Sequence, residues 1–238
     1  MSRPGTQTRR QKVEEKEQAI VAAAYDIFLA NGFDGARIAE IARRAQVAEG
    51  TVYLYFENKQ ALLIAVLTRF YDELTEGARA GIQRIPGTAD RLSFLARHHL
   101  VNVSRVWQIF ALTAYQYQFD DNYRTSQAYQ LNRAYVTVFD QIVQDGQHRG
   151  EIRSDLPLTL MRDMYFGSME YMLRTTRMRA RDIEAVADDL TRDMLKVLLP
   201  GFAVPGATAG APAPTTDERL QAVAARLERV ADRIAPQD

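Results

Sequence analysis

The sequence predicts an all-α protein: a small N-terminal unit of three helices, then a larger helical domain. Three observations carry this. Apolar residues recur three and four apart along most of the chain. No stretch sustains the period-two alternation of a half-buried strand. Interruptions fall where Gly, Pro or paired acids cluster: Asn31-Gly32, Pro86-Gly87, Asp120-Asp121, Gly146 to Asp155 and Pro200-Gly201.

The elements follow in order. Residues 1–13 hold Arg3, Arg9, Arg10 and Lys12 and read as a flexible basic arm. Glu14, Glu15 and Glu17 suit the first turn of a helix, where the backbone dipole favours negative charge. Ile20, Ala23, Ala24, Ile27 and Phe28 continue that helix to Asn31-Gly32. A short second helix carries Ile38, Ile41, Ala42 and Ala45 on one face, and a tight turn over 45–48 leads to a third from Glu49. Asn58 fits the N-cap of a long helix reaching about Ile82. Beyond it the chain continues helical in pattern, with the interruptions named above.

These boundaries divide the chain into a three-helix unit over 14–57, a larger domain over 58–200, a Pro/Ala/Gly linker over 201–214 and an amphipathic segment over 215–238. In the last, Thr215 with Glu218 fits a capping box, and Leu220, Val223, Leu227, Val230 and Ile234 form a two-heptad seam. A helix that short packs on something or remains a frayed, solvated segment.

Composition narrows the function. The chain has 238 residues, 47% hydrophobic and 25% charged, with thirty basic and thirty acidic side chains. Balanced charge does not announce a polyanionic partner, although a local patch can still bind one. Zero cysteines exclude disulfides and thiolate metal sites, which suits a reducing cytoplasm. The polar, basic start lacks a signal-peptide core, and no apolar run reaches the ~18 residues that suggest a membrane span. Three histidines, two of them adjacent at 98 and 99, make a poor metal set.

The stretch 38–56 has the dimensions of a helix-turn-helix, whose second helix enters a major groove. Val52 and Phe56, four apart, face inward with Val47, Ile38 and Ile41. Thr51, Leu54 and Tyr55 then face outward, with Tyr53 at the margin. Gly50 permits close backbone approach, the Thr51, Tyr53 and Tyr55 hydroxyls suit phosphate oxygens, and Leu54 suits a thymine methyl group. Arg37, Arg43, Arg44 and Lys59 supply cations around the site. Glu49 either reads a cytosine amino group or stabilises the helix N-terminus.

The run IAEIARRAQVAEGTVYLYFENKQALL resembles the DNA-binding segment of TetR/AcrR-type transcriptional regulators, through Ile41, Ala42, Ala45, Val47, Gly50, Thr51, Val52, Tyr53, Tyr55, Phe56, Lys59 and Leu62. Three positions depart from that pattern: Gln46 replaces the turn glycine, Ala48 the serine cap, and Arg37 a phosphate-binding threonine. The resemblance implies a homodimer on double-stranded operator DNA, released by a small hydrophobic effector, with no resident cofactor. It also implies two last long helices, near 156–178 and 181–199, that form a four-helix bundle with those of a second subunit. The first would have Asp155 as its cap, Pro157 in its first turn and Gly167 as a point of close approach. Met164, Gly167, Met169, Met172, Val186, Leu190, Met194 and Val197 suit either that interface or an internal core. The stretches VAEGTVYLYFENKQALL and VFDQIVQDGQHRGEI resemble acyl-CoA-responsive regulators of fatty-acid degradation within the family. A long-chain acyl-CoA would need an apolar channel and phosphate-binding cations. Trp107, Phe110, Tyr115, Tyr117 and Tyr129, with Arg105, Arg124 and Arg133, offer these, although such aromatics equally suit a bundle core. Two other classes compete: a regulator with a different hydrophobic ligand, as in efflux control, and a helical interaction module that does not bind DNA. An enzyme is disfavoured because no catalytic motif or phosphate-cradling glycine loop is present.

Overall fold

A computed structural model describes residues 9–107, 109 and 125–204. Within these the chain is all-α, as expected. Its helices are α1 (Arg9–Gly35), α2 (Ile38–Arg44), α3 (Glu49–Tyr55), α4 (Lys59–Ile82), α5 (Thr88–Arg105), α6 (Gln127–His148), α7 (Leu158–Met178) and α8 (Ile183–Phe202). The only sheet-like pairing among the described residues is an isolated bridge between Ile152 and Ala203.

Two apolar clusters organise the chain. The first joins α1, α2 and α3 to the opening half of α4 through Ile20, Phe28, Ile41, Val52, Phe56 and Leu63. The second joins the later half of α4 to α5, α6, α7 and α8 through Leu74, Leu95, Phe139, Tyr165 and Leu198. The 24-residue α4 thus serves both cores. Tyr165 closes the second core by donating its hydroxyl to the Leu92 carbonyl at 2.6 Å. No helix among the described residues is long and apolar enough to cross a membrane.

Several local expectations change. The helix starts at Arg9, so part of the basic arm belongs to α1, where Arg10 pairs with Glu14 at 2.8 Å. Gly32 breaks regularity at φ 71°, a left-handed conformation natural to glycine. Pro200 does not end α8. It lies in the last turn, where it forgoes one hydrogen bond to the preceding turn, and buried Phe202 holds that turn down. Residues 201–204 consequently belong to the folded domain: Arg153 N–H donates to Phe202 O and Val204 N–H to Glu151 O. Asp155 caps no helix; Arg153 grips its carboxylate through two nitrogens, and the N-cap position falls to Pro157. The segment 215–238, the linker after Val204 and the break near Asp120 lie outside the described residues.

Candidate nucleic-acid interface and ligand cleft

α3 is held by an apolar underside. Val52 and Phe56 are buried, and Tyr55 packs half-buried beside them with its ring 6.5 Å from that of Phe56. The opposite side carries Leu54 at 84% exposure and Tyr53 at 51%. The two tyrosines therefore exchange the parts expected of them. At about 100° per residue, Tyr55 lies roughly 60° from Val52, whereas Tyr53 lies 100° away and Leu54 about 200°. Thr51 is half-buried, while Glu49 and Gly50 are exposed in the first turn.

The turn before α3 tolerates its unusual residues at a cost. Gln46 adopts φ 56°, the left-handed conformation for which relatives carry glycine, and a side chain there costs about 1–2 kcal/mol. Ala48 and Arg37 occupy the N-cap positions of α3 and α2 without a side-chain hydrogen bond. Asn58 does cap α4, accepting from Ala61 N–H at 2.8 Å.

Of the cations expected at the site, Arg37 and Arg43 are exposed and have no ion pair among the described residues. Arg44 is instead engaged by Asp26 of α1 at 2.5 Å, which ties α2 to α1. Lys59 takes a structural task in place of the expected phosphate contact. Its ammonium donates to the carbonyls of Phe33, Asp34 and Ala36 at 2.8, 3.3 and 3.2 Å, and sits 4.6 Å from the Phe33 ring centroid. Three donors meet three acceptors, so Lys59 clasps the start of α4 to the end of α1.

In the larger domain, the residues expected around an effector separate. Arg105 faces outward and pairs with Glu184 of α8 at 2.5 Å. Trp107 packs against the second core. Phe110, Tyr115, Tyr117 and Arg124 lie outside the described residues. Tyr129 and Arg133 do meet, in a cleft of about 590 Å³ between α6 and α7 that also exposes Arg162, Phe166 and Glu170. Asp140, buried beside it, accepts from Arg162 at 2.8 and 2.7 Å and from Arg133 at 3.2 Å.

His99, which the sequence offers only as half of a poor metal pair, lies at this cleft, and helical spacing carries no signal of its burial. Its ring is 3% exposed, stacks on Tyr135 at 5.8 Å and meets Phe166 edge-on at 5.3 Å. Among the described residues, both ring nitrogens and the Tyr135 hydroxyl lack hydrogen-bond partners. Burial, with a smaller contribution from neighbouring His98, depresses the His99 pKa to about 3, and burial raises that of Tyr135. His98 itself is tied to the Leu74 carbonyl at 2.9 Å.

The residues expected at a subunit interface or an internal core divide by burial. Met169 and Met194 are buried within the chain's own core, with Met172, Val186 and Leu190 partly covered. They cannot all serve a partner, because α7 and α8 bury one stripe against α5 and α6. Met164, Gly167 and Val197 remain exposed, joined by Leu160, Tyr171 and Met178, which sequence spacing did not single out.

Comparison with known proteins agrees with this architecture. Residues 20–66 match the family described as bacterial regulatory proteins, tetR family, and residues 68–198 match the YsiA-like protein C-terminal region. The fatty acid metabolism regulator protein of Bacillus subtilis is 25% identical over 187 residues, covering 79% of this chain and 95% of that protein. The regulator RutR of Escherichia coli is 42% identical over 67 residues, 28% of this chain and 32% of its own. Among solved structures, FadR of Bacillus subtilis in complex with stearoyl-CoA superposes with a TM-score of 0.65 at 24% identity, covering 74% of this chain and 96% of that one. FadR of Bacillus halodurans gives 0.64 at 21%, covering 80% and 97%. Regulators of the matched family typically bind DNA as dimers, respond to small molecules and are not enzymes. With both of its domains matched, this chain belongs to the TetR family of bacterial transcriptional regulators.

Proposed function

We propose that the protein is a repressor that binds a pseudo-palindromic operator as a homodimer and is released by an amphipathic effector such as a long-chain acyl-CoA. The observation that carries the DNA-binding part is the outward edge of α3. Leu54 and Tyr53 stand side by side in solvent on a helix anchored by Val52 and Phe56, an arrangement that gains when a surface covers it. Leu54 meets a base edge in the major groove, while Tyr53 and Thr51 donate to phosphates. Arg37 and Arg43 add charge, and Lys59 positions the helix pair without touching DNA.

The exposed apolar face of α7 and α8 supports dimerisation. One short helix reads few base pairs, so two copies about 34 Å apart supply the remaining affinity and specificity. An effector lodged in the larger domain tilts α4, changes that spacing and lowers operator affinity. By linkage, operator DNA lowers effector affinity by the same factor.

The fatty-acid branch draws support from the Bacillus subtilis relative, whose match spans nearly all of that protein. The cleft at His99, with Arg133 and Arg162, suits the polar end of such a ligand better than its hydrocarbon chain. Calorimetric titration with stearoyl-CoA, coenzyme A and stearate separates the effector readings. Micromolar binding of stearoyl-CoA that is weakened at least tenfold for either fragment is expected. Absence of stearoyl-CoA binding removes the fatty-acid branch and leaves a regulator with another ligand.

A further inference from the structure

Four buried side-chain polar atoms lack hydrogen-bond partners among the described residues, and three of them belong to two stacked rings. These are both nitrogens of His99 and the hydroxyl of Tyr135. Elsewhere the same core provides for such groups. His98 donates from Nε2 to the Leu74 carbonyl at 2.9 Å, and its Nδ1 meets the Asn102 amide at 3.3 Å. Tyr165 donates to the Leu92 carbonyl. A donor or acceptor left unmet in the interior is costly, so His99 calls for a reason beyond packing.

That reason lies in the cleft between α6 and α7. His99 forms part of its lining, yet water does not reach the ring nitrogens. Phe166 lines the same cleft and meets the imidazole edge-on at 5.3 Å, while the stack on Tyr135 fixes the plane of the ring.

The chemistry of an occupant follows from charge. Burial holds the imidazole neutral, with a pKa of about 3. Near neutral pH it therefore carries one N–H donor and one bare nitrogen acceptor. The other charges of the cleft leave no surplus for an anion. Arg133 and Arg162 share Asp140, and Asp163 and Glu170 stand on the same lining. A carboxylate or phosphate against His99 would be a buried charge without a counter-ion. An ammonium group would share the cleft with two guanidinium groups. A hydroxyl or an amide is uncharged, both donates and accepts, and answers either ring nitrogen.

We propose that the α6–α7 cleft selects its ligand through His99, which hydrogen-bonds an uncharged hydroxyl or amide group once Phe166 turns aside. Side-chain turns of this kind commonly accompany binding. The proposal rests on the reading of this cleft as the place of the effector's polar end, and it narrows that end to a neutral group. In a long-chain acyl-CoA the amides between thioester and phosphates answer the description, and the phosphates do not.

Calorimetric titration of the full chain with four eight-carbon probes tests this: 1-octanol, octanamide, octanoate, and 1-chlorooctane, whose chlorine cannot donate. The same set is run on His99→Phe, which keeps the stack, and on His99→Gln, which keeps a neutral donor and acceptor. The ratio of octanol to chlorooctane affinity should fall at least tenfold in His99→Phe and stay within about threefold of the parent in His99→Gln. Octanamide should follow octanol, and octanoate should bind the parent at least tenfold more weakly than octanamide. Loosened packing would weaken all the probes alike, so the ratio reports on the hydrogen bond. An unchanged ratio in His99→Phe overturns the proposal, as does octanoate binding as tightly as octanamide, or no binding of either neutral polar probe. Operator affinity measured with octanamide present separates the two readings. The expected ratios with operator affinity unchanged uphold the site and remove the cleft from operator release.

Discussion

His99 concentrates the residue-scale consequences. A neutral imidazole without partners is costly to bury, and protonating it there is costlier still. Its folded-state pKa of about 3 lies below the ~6.5 of an unfolded histidine. The unfolded chain therefore binds a proton that the folded chain refuses, and stability falls as pH drops from about 6.5 towards 3. Between pH 7 and pH 5 this residue should cost about 2 kcal/mol. His99→Phe keeps the stack on Tyr135 and should flatten that part of the acid limb, as read by urea melts across the interval. An unchanged pH profile would remove His99 as its cause.

The same scale separates what spacing reveals from what it hides. Val52 and Phe56 are legible because four-residue spacing defines one helix face, and both are buried. Tyr53 and Tyr55 differ by only a few tens of degrees about the facing direction, so their exposure depends on the approach of α1 and α4. Lys59 was legible as a cation but not as a clasp. Its acceptors lie 23 to 26 residues earlier, in a turn whose path the local sequence does not specify.

Elements were easier to foresee than their ends. The Asn58 cap, the Pro86-Gly87 interruption and the length of α4 follow from local chemistry, and the structure reproduces them. The start of α1 at Arg9 and the passage of α8 through Pro200 depart from the local signals; in α8, buried Phe202 outweighs one lost hydrogen bond. The pairing of α6 with α7 was not visible at all. It runs through Asp140, where two arginines share one buried carboxylate. Removing Arg162, its bidentate partner, leaves that charge undercompensated. Arg162→Met should destabilise the protein by about 3 kcal/mol in chemical denaturation, and Arg162→Met with Asp140→Leu should recover most of the loss. A single variant as stable as the parent would show that the pair contributes little.

At the scale of the whole molecule, the two clusters give a small N-terminal unit and a larger body, and α4 contributes to both. Leu160, Met164, Tyr171, Met178 and Val197 form an exposed apolar stripe, the face through which the proposed dimer would assemble. A Met164→Glu, Val197→Glu chain should sediment as a monomer at concentrations where the parent is a dimer, with its helicity retained. If it remains dimeric, the contact lies elsewhere.

The central claim is that the outward edge of α3 reads duplex DNA. Selection from a random pool of duplexes by the intact protein tests it most directly, with a Tyr53→Ala, Leu54→Ala chain run in parallel. Pseudo-palindromes with half-sites about one helical turn apart, or a multiple of it, should be enriched, and the double variant should lose that enrichment. No enrichment by the intact protein, or the same sequences enriched by both chains, would contradict it.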